Sequence, residues 1–197
     1  MKYLTTLALT FCVVCFASFA WSIRRLFLQP LGMLLRMKIL SVLGFVFFLV
    51  QVWAIVQAQP NASASSMAGL LLYLLTLFLF WSAVPYARRA SLSIAFTPSE
   101  PVTLMIEGPY RYVRHPFYLS YITFWTAGLI VSRNMWLLIP LAVMGIFYWS
   151  AIRQEEQELS RGSLQNEYRQ YKLTTGGLFP RLRTKKRPIR ECSASGR

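Results

Sequence analysis

Gly108-Pro-Tyr-Arg-Tyr-Val-Arg-His-Pro-Phe-Tyr118 sets arginines, tyrosines and the chain's single histidine, His115, directly ahead of a long apolar run. Gly108-Pro109 enforces a turn. Pro116 disfavours helix at His115 yet suits the first turn of a helix that follows, so His115 is predicted at that helix's mouth. Backbone N–H groups and the positive end of the helix dipole there join Arg111 and Arg114 in a positively biased cradle for an anionic or electron-rich group. The plainer account is that arginine and tyrosine crowd the ends of many membrane helices as interfacial anchors.

Downstream, two apolar runs at about 117–131 and 135–152 are separated only by Ser132-Arg133-Asn134, a connection so short that it predicts an antiparallel helical hairpin. Pro140 and Gly145 allow the second of these helices to bend or to pack closely. Beyond its end stand Arg153, Glu155 and Glu156. His115 and Tyr118 at the start of the hairpin therefore fall on the same side as the glutamates past its finish, and two distant segments wall one interfacial site. Adjacent glutamates cannot share a helix face, so at most one is expected to point fully inward. The competing reading has both pairing with Arg111, Arg114 or Arg153 as a structural network. From Arg153 onward Leu159, Leu164, Tyr168 and Tyr171 recur as on an amphipathic helix packed against the domain, with Gly162 as its weak point.

Upstream, apolar runs at about 3–21, 39–57 and 67–87 complete five expected spans, and Pro85 predicts a kink or an early exit for the third. A cleaved signal peptide is the rival account of the first run. Its length and the Arg24, Arg25, Arg36 and Lys38 that follow favour a retained span. At 55% hydrophobic and 14% charged, the 197-residue chain is too apolar for an ordinary soluble domain. The expected fold is an all-α integral membrane domain over 1–180, with an amphipathic C-terminal helix at the cytoplasmic face. A polybasic, disordered tail is expected over 181–197.

The formal charge of +14 arises from 21 basic and 7 acidic residues. The cations sit between and after apolar runs, which points to anionic membrane lipids and away from nucleic acid. Their asymmetry predicts an exterior N-terminus and a cytoplasmic C-terminus. One histidine and no aspartate argue against a metal site. Cys12 and Cys15 lie inside the first apolar run, where they read as small packing residues because hydrocarbon disfavours the reactive thiolate.

The Gly108–Tyr118 stretch, a hairpin, then Glu155-Glu156 and Tyr168-x-x-Tyr171 before Pro180 resemble the isoprenylcysteine carboxyl methyltransferase family and its phospholipid methyltransferase relatives. The likeness covers Leu104 to Pro180. It implies a membrane enzyme that uses S-adenosylmethionine without a Rossmann sheet, in agreement with the lack of a Gly-x-Gly-x-x-Gly loop. Carried over residue by residue, it implies a cofactor site at Leu104, Tyr110, His115, Pro116, Tyr118 and Glu156, with Val102, Thr103, Met105 and Phe117 alongside. Arg153 and Glu155 fall on the acceptor side. Departures from the family pattern lie there too: Ser120 stands where glycine is common, Arg153 matches only loosely, and Gly176-Gly177 occupies a region that often carries arginine.

The function expected from the resemblance is methyl transfer to a carboxylate on a lipid-like or prenylated acceptor, which needs no general base. A phospholipid amine is the alternative and does need one. An NADPH-dependent membrane reductase and a non-enzymatic membrane anchor are the readings from other classes.

Overall fold

The computed structural model describes residues 2–25, 35–90 and 104–181. Apart from Arg181, the expected tail lies outside these residues. Helices α1 (Lys2–Arg25), α2 (Leu35–Ala58) and α3 (Ala64–Ala90) are followed by a one-turn 3₁₀ helix at Gly108–Arg111. Then come α4 (Pro116–Ser132), a second 3₁₀ turn at Met135–Leu137, α5 (Leu138–Arg161) and α6 (Gln165–Thr174). The described residues form no strand. The fold is all-α, as the apolar runs require, because a chain in hydrocarbon must satisfy its backbone N–H and C=O groups within each segment.

Four helical segments, containing α1, α2, α3 and α5, are long and apolar enough to cross a bilayer. The expected fifth span, α4, is also an apolar helix but has 17 residues, about 25 Å at 1.5 Å per residue. It falls at the lower limit for a membrane of about 30 Å hydrocarbon. Its environment differs from that of the others. Phe124, Trp125, Ala127 and Val131 of α4 form the core with Cys12 and Cys15 of α1, Ile55 of α2, Tyr73 of α3 and Met144 and Tyr148 of α5. The outer helices instead leave large apolar side chains exposed, among them Val42, Leu49 and Trp53 on α2 and Leu71, Leu74 and Phe78 on α3.

The early exit expected at Pro85 does not occur, and Pro140 interrupts no helical hydrogen bond. Helix α3 continues past Pro85 to Ala90, because the one N–H that proline lacks is lost within two turns of the helix end while Ala83, Val84 and Ala87 remain packed. Pro140 lies in the first turn of α5, where its missing N–H has no intrahelical partner to lose. Both Cys12 and Cys15 are free and buried. Gln51, buried beside them, donates from Nε2 to Tyr73 Oη at 3.0 Å and to Cys12 Sγ at 3.5 Å, joining α1, α2 and α3 in the bundle interior.

Candidate active site at the polar end of the bundle

Gly108 has φ +57°, and a Cβ there would run into the Tyr86 ring of α3, so the turn that opens the site needs a residue without a side chain. Tyr112 and Val113 both donate their N–H groups to the Pro109 carbonyl at 3.1 Å and close the turn. The chain after α6 then runs alongside it. Val113 pairs with Gly176 in a parallel bridge, and the Arg114 N–H donates to the Gly176 carbonyl at 2.8 Å. A Cβ at Gly176 would collide with the Phe179 carbonyl oxygen, which explains a glycine where the resemblance led one to look for arginine. His115 caps α4 and Pro116 occupies its first turn, as expected.

Glu156 is the hub of the charged network. Arg114 donates to its Oε1 from Nε at 3.1 Å and Nη2 at 2.6 Å, and Lys172 donates to Oε2 at 3.0 Å. His115 Nε2 lies 3.3 Å from Oε1. Arg114 also donates from Nη1 to the Thr175 carbonyl at 2.5 Å. One guanidinium therefore joins the start of α4, the end of α5 and the segment after α6.

Glu155 has a different environment. Tyr118 Oη donates to its Oε1 at 2.5 Å, while His115 Nδ1 stands 3.7 Å from Oε2, beyond hydrogen-bond range. Neither glutamate is fully buried, so the expectation that at most one points fully inward stands, yet both carboxylates approach the site. The two carboxylates straddle the buried imidazole, because its two nitrogens lie on opposite edges and neighbouring helix positions diverge by about 100°.

Toward the membrane the site is walled by Tyr118, Tyr121 and Tyr148, whose ring centroids lie 5.4 to 6.1 Å apart. Phe19 of α1 packs edge-on against Tyr121 at 4.7 Å. On the polar side, Tyr171 Oη donates to the Tyr110 carbonyl at 2.5 Å. The Tyr110 hydroxyl is buried with no hydrogen-bond partner among the described residues. Burial first, then the nearby charge of Glu155, pushes the Tyr110 pKa up, so this phenol keeps its proton as a donor. Burial likewise raises Tyr168, with Glu156 adding to the effect, and Tyr171, with Arg114 opposing it.

The structure brings Tyr110, His115, Pro116, Tyr118, Glu155 and Glu156 together at one end of the bundle. Phe117 is buried against Phe80 of α3, and Met105 packs on the same cluster. Leu104 is partly buried just before the turn. Val102 and Thr103 lie outside the described residues. Arg153 is exposed, with its guanidinium 5.0 Å from the Trp149 ring centroid, a position typical of an interfacial anchor. Ser120 is fully buried and donates to the Phe117 carbonyl at 2.7 Å.

Lys172, Thr175, Tyr121 and Tyr148 were missed by sequence reading. The three-residue step from Tyr118 to Tyr121 was the one available signal, marking a single aromatic face of α4. Nothing local marks Lys172 or Thr175, which reach the site only through the docking of α6.

Fold and site together define a multi-pass membrane protein with a charged, aromatic-walled site at one end of its helices. The phospholipid methyltransferase family matches residues 64–182, more than half of the chain, and the chain belongs to that family. The family includes the isoprenylcysteine carboxyl methyltransferases, in agreement with the resemblance carried by the motifs. No curated protein matches the chain. Membership makes this a membrane methyltransferase and selects that reading over the reductase and the anchor.

Proposed function

We propose that the protein transfers a methyl group from S-adenosylmethionine to a nucleophile on a lipid-like acceptor drawn from the bilayer. The observation that carries this reading is the convergence on Glu155 and Glu156 of the His115–Tyr118 motif, with His115 Nε2 at 3.3 Å from Glu156 and Tyr118 Oη at 2.5 Å from Glu155. The residues present fit the cofactor's chemistry. A sulfonium calls for aromatic faces, which Tyr118 and Tyr121 supply, and the Tyr110 hydroxyl, without a hydrogen-bond partner among the described residues, offers a donor.

Tyr110, His115, Pro116, Phe117 and Tyr118 would hold the cofactor, with Leu104 and Met105; Val102 and Thr103, which the resemblance also assigns to it, lie outside the described residues. Glu156 would act mainly by fixing Arg114, His115 and Lys172, since these groups already occupy its oxygens. Bound S-adenosylmethionine supplies an electrophilic methyl group. The chain's own task is to align the acceptor and keep water out, and burial of His115 and Tyr118 beside the tyrosine wall suits that task.

The carboxylate acceptor expected from the isoprenylcysteine branch remains one reading. A phospholipid amine is the second, favoured by Glu155, whose carboxylate has no cation within hydrogen-bond range among the described residues and would repel an anionic acceptor. Calorimetry on the detergent-purified protein tests the cofactor. Binding of S-adenosylmethionine, weakened about tenfold or more in His115→Ala, is the expected result. Binding of NADPH in its place overturns the reading.

A further inference from the structure

We propose that Glu155 is the proton acceptor of this site, taking a proton through Oε2 from the ammonium group of an amine-headed lipid. The inference rests on the methyltransferase reading above. The two glutamates differ in what remains for a ligand. Glu156 receives Arg114 and Lys172 by hydrogen bonds, with His115 Nε2 at 3.3 Å. Among the described residues Glu155 receives only the Tyr118 hydroxyl, on Oε1, and its Oε2 has no partner inside hydrogen-bond distance. A carboxylate with one open oxygen, beside three tyrosine rings, attracts a cation by charge and by the ring quadrupoles.

The Tyr110 hydroxyl adds a separate observation. It is buried without a partner among the described residues and lies within electrostatic reach of Glu155 and Tyr121. A donor left unsatisfied in a buried position costs free energy until an acceptor atom arrives, and the oxygens of a lipid headgroup are such atoms.

The proton balance is closed. The R–NH₃⁺ headgroup and the Glu155 carboxylate become R–NH₂ and a carboxylic acid, which frees the nitrogen lone pair for the sulfonium methyl donor. The Glu155 side chain is 34% exposed, and in this proposal that open side is the route by which the acid gives up its proton. The groups facing Glu155 are His115, Tyr118 and Tyr121 from α4, Tyr110 from the turn, and Glu156 and Glu158 on its own helix.

The test uses purified full-length protein, short-chain phosphatidylethanolamine as the amine probe and N-acetyl-S-farnesylcysteine as the carboxylate probe. Glu155→Gln is expected to bind S-adenosylmethionine with wild-type affinity and to bind the amine lipid about tenfold more weakly. Its amine methylation should fall about 100-fold near neutral pH. That deficit should shrink as pH rises toward the amine's own pKa, where solvent removes the proton. Tyr118→Phe gives a second arm. Tyr118 is the one hydrogen-bond donor on Glu155 among the described residues, so its loss should move the acid limb of the amine profile.

Wild-type amine turnover with an unchanged pH profile in Glu155→Gln overturns the proposal, as does an unmoved acid limb in Tyr118→Phe. Methylation of the farnesylcysteine probe alone by the wild type overturns it and leaves the methyltransferase reading standing. A wild-type protein that binds no S-adenosylmethionine overturns both.

Discussion

Arg114 holds three segments with one planar group: both Glu156 contacts come from its fork, and its remaining terminal nitrogen reaches the Thr175 carbonyl. Removing one partner from such a pair strands the other charge in a partly dry place. The Arg114 and Glu156 side chains are only 9% and 17% exposed, so Arg114→Ala is expected to cost about 3 kcal/mol of stability. Arg114→Lys should recover only part of this loss, since a single ammonium cannot span a carboxylate and a carbonyl in fork geometry. Unfolding in detergent micelles measures both, and an unchanged midpoint for Arg114→Ala would show that Lys172 and His115 suffice. Glu156→Gln should likewise weaken the fold, whereas Glu155→Gln should leave the fold intact and act on the binding and methylation of the amine lipid.

At the level of elements, α4 depends on close approach. A Cβ at Gly128 would collide with the Gln51 amide of α2, which is already committed to Tyr73 and Cys12. Gly128→Ala is therefore expected to cost about 1 to 3 kcal/mol by overpacking, read as a lowered thermal midpoint in detergent. Helix α6 is held differently. Tyr168 and Tyr171 are its buried residues, and the Tyr171 hydroxyl is bonded to the Tyr110 carbonyl. Tyr171→Phe should cost about 1 kcal/mol and speed amide hydrogen exchange over residues 165–177, while α4 stays protected. Uniform loss of protection would mean that α6 does not open as a unit.

For the whole molecule, the connections at opposite ends of the bundle differ in charge. The α2–α3 and α4–α5 loops meet where Arg133 Nη2 donates to Asn61 Oδ1 at 2.9 Å. The basic residues Arg24, Arg25, Arg36, Lys38, Arg88 and Arg89 lie at the ends of α1, α2 and α3 that face the site. The positive-inside rule predicts that the loop holding Ala62 is outside and α6 cytoplasmic. In a cysteine-free background, a membrane-impermeant reagent on intact cells should label Ala62→Cys and spare Asn166→Cys; the reverse pattern overturns this orientation. The sequence by itself determined the helices and the family, because apolar runs must become helices in hydrocarbon and the Gly-Pro, His-Pro and Glu-Glu motifs are local. It also placed His115, Tyr118, Glu155 and Glu156 together, since a three-residue connection leaves a hairpin little choice. Only the tertiary structure decided which glutamate is saturated and which is open, and that Lys172 and Thr175 belong to the site. Those outcomes depend on where α6 docks and on the reach of long side chains across elements, neither of which is encoded in the spacing of residues along one helix.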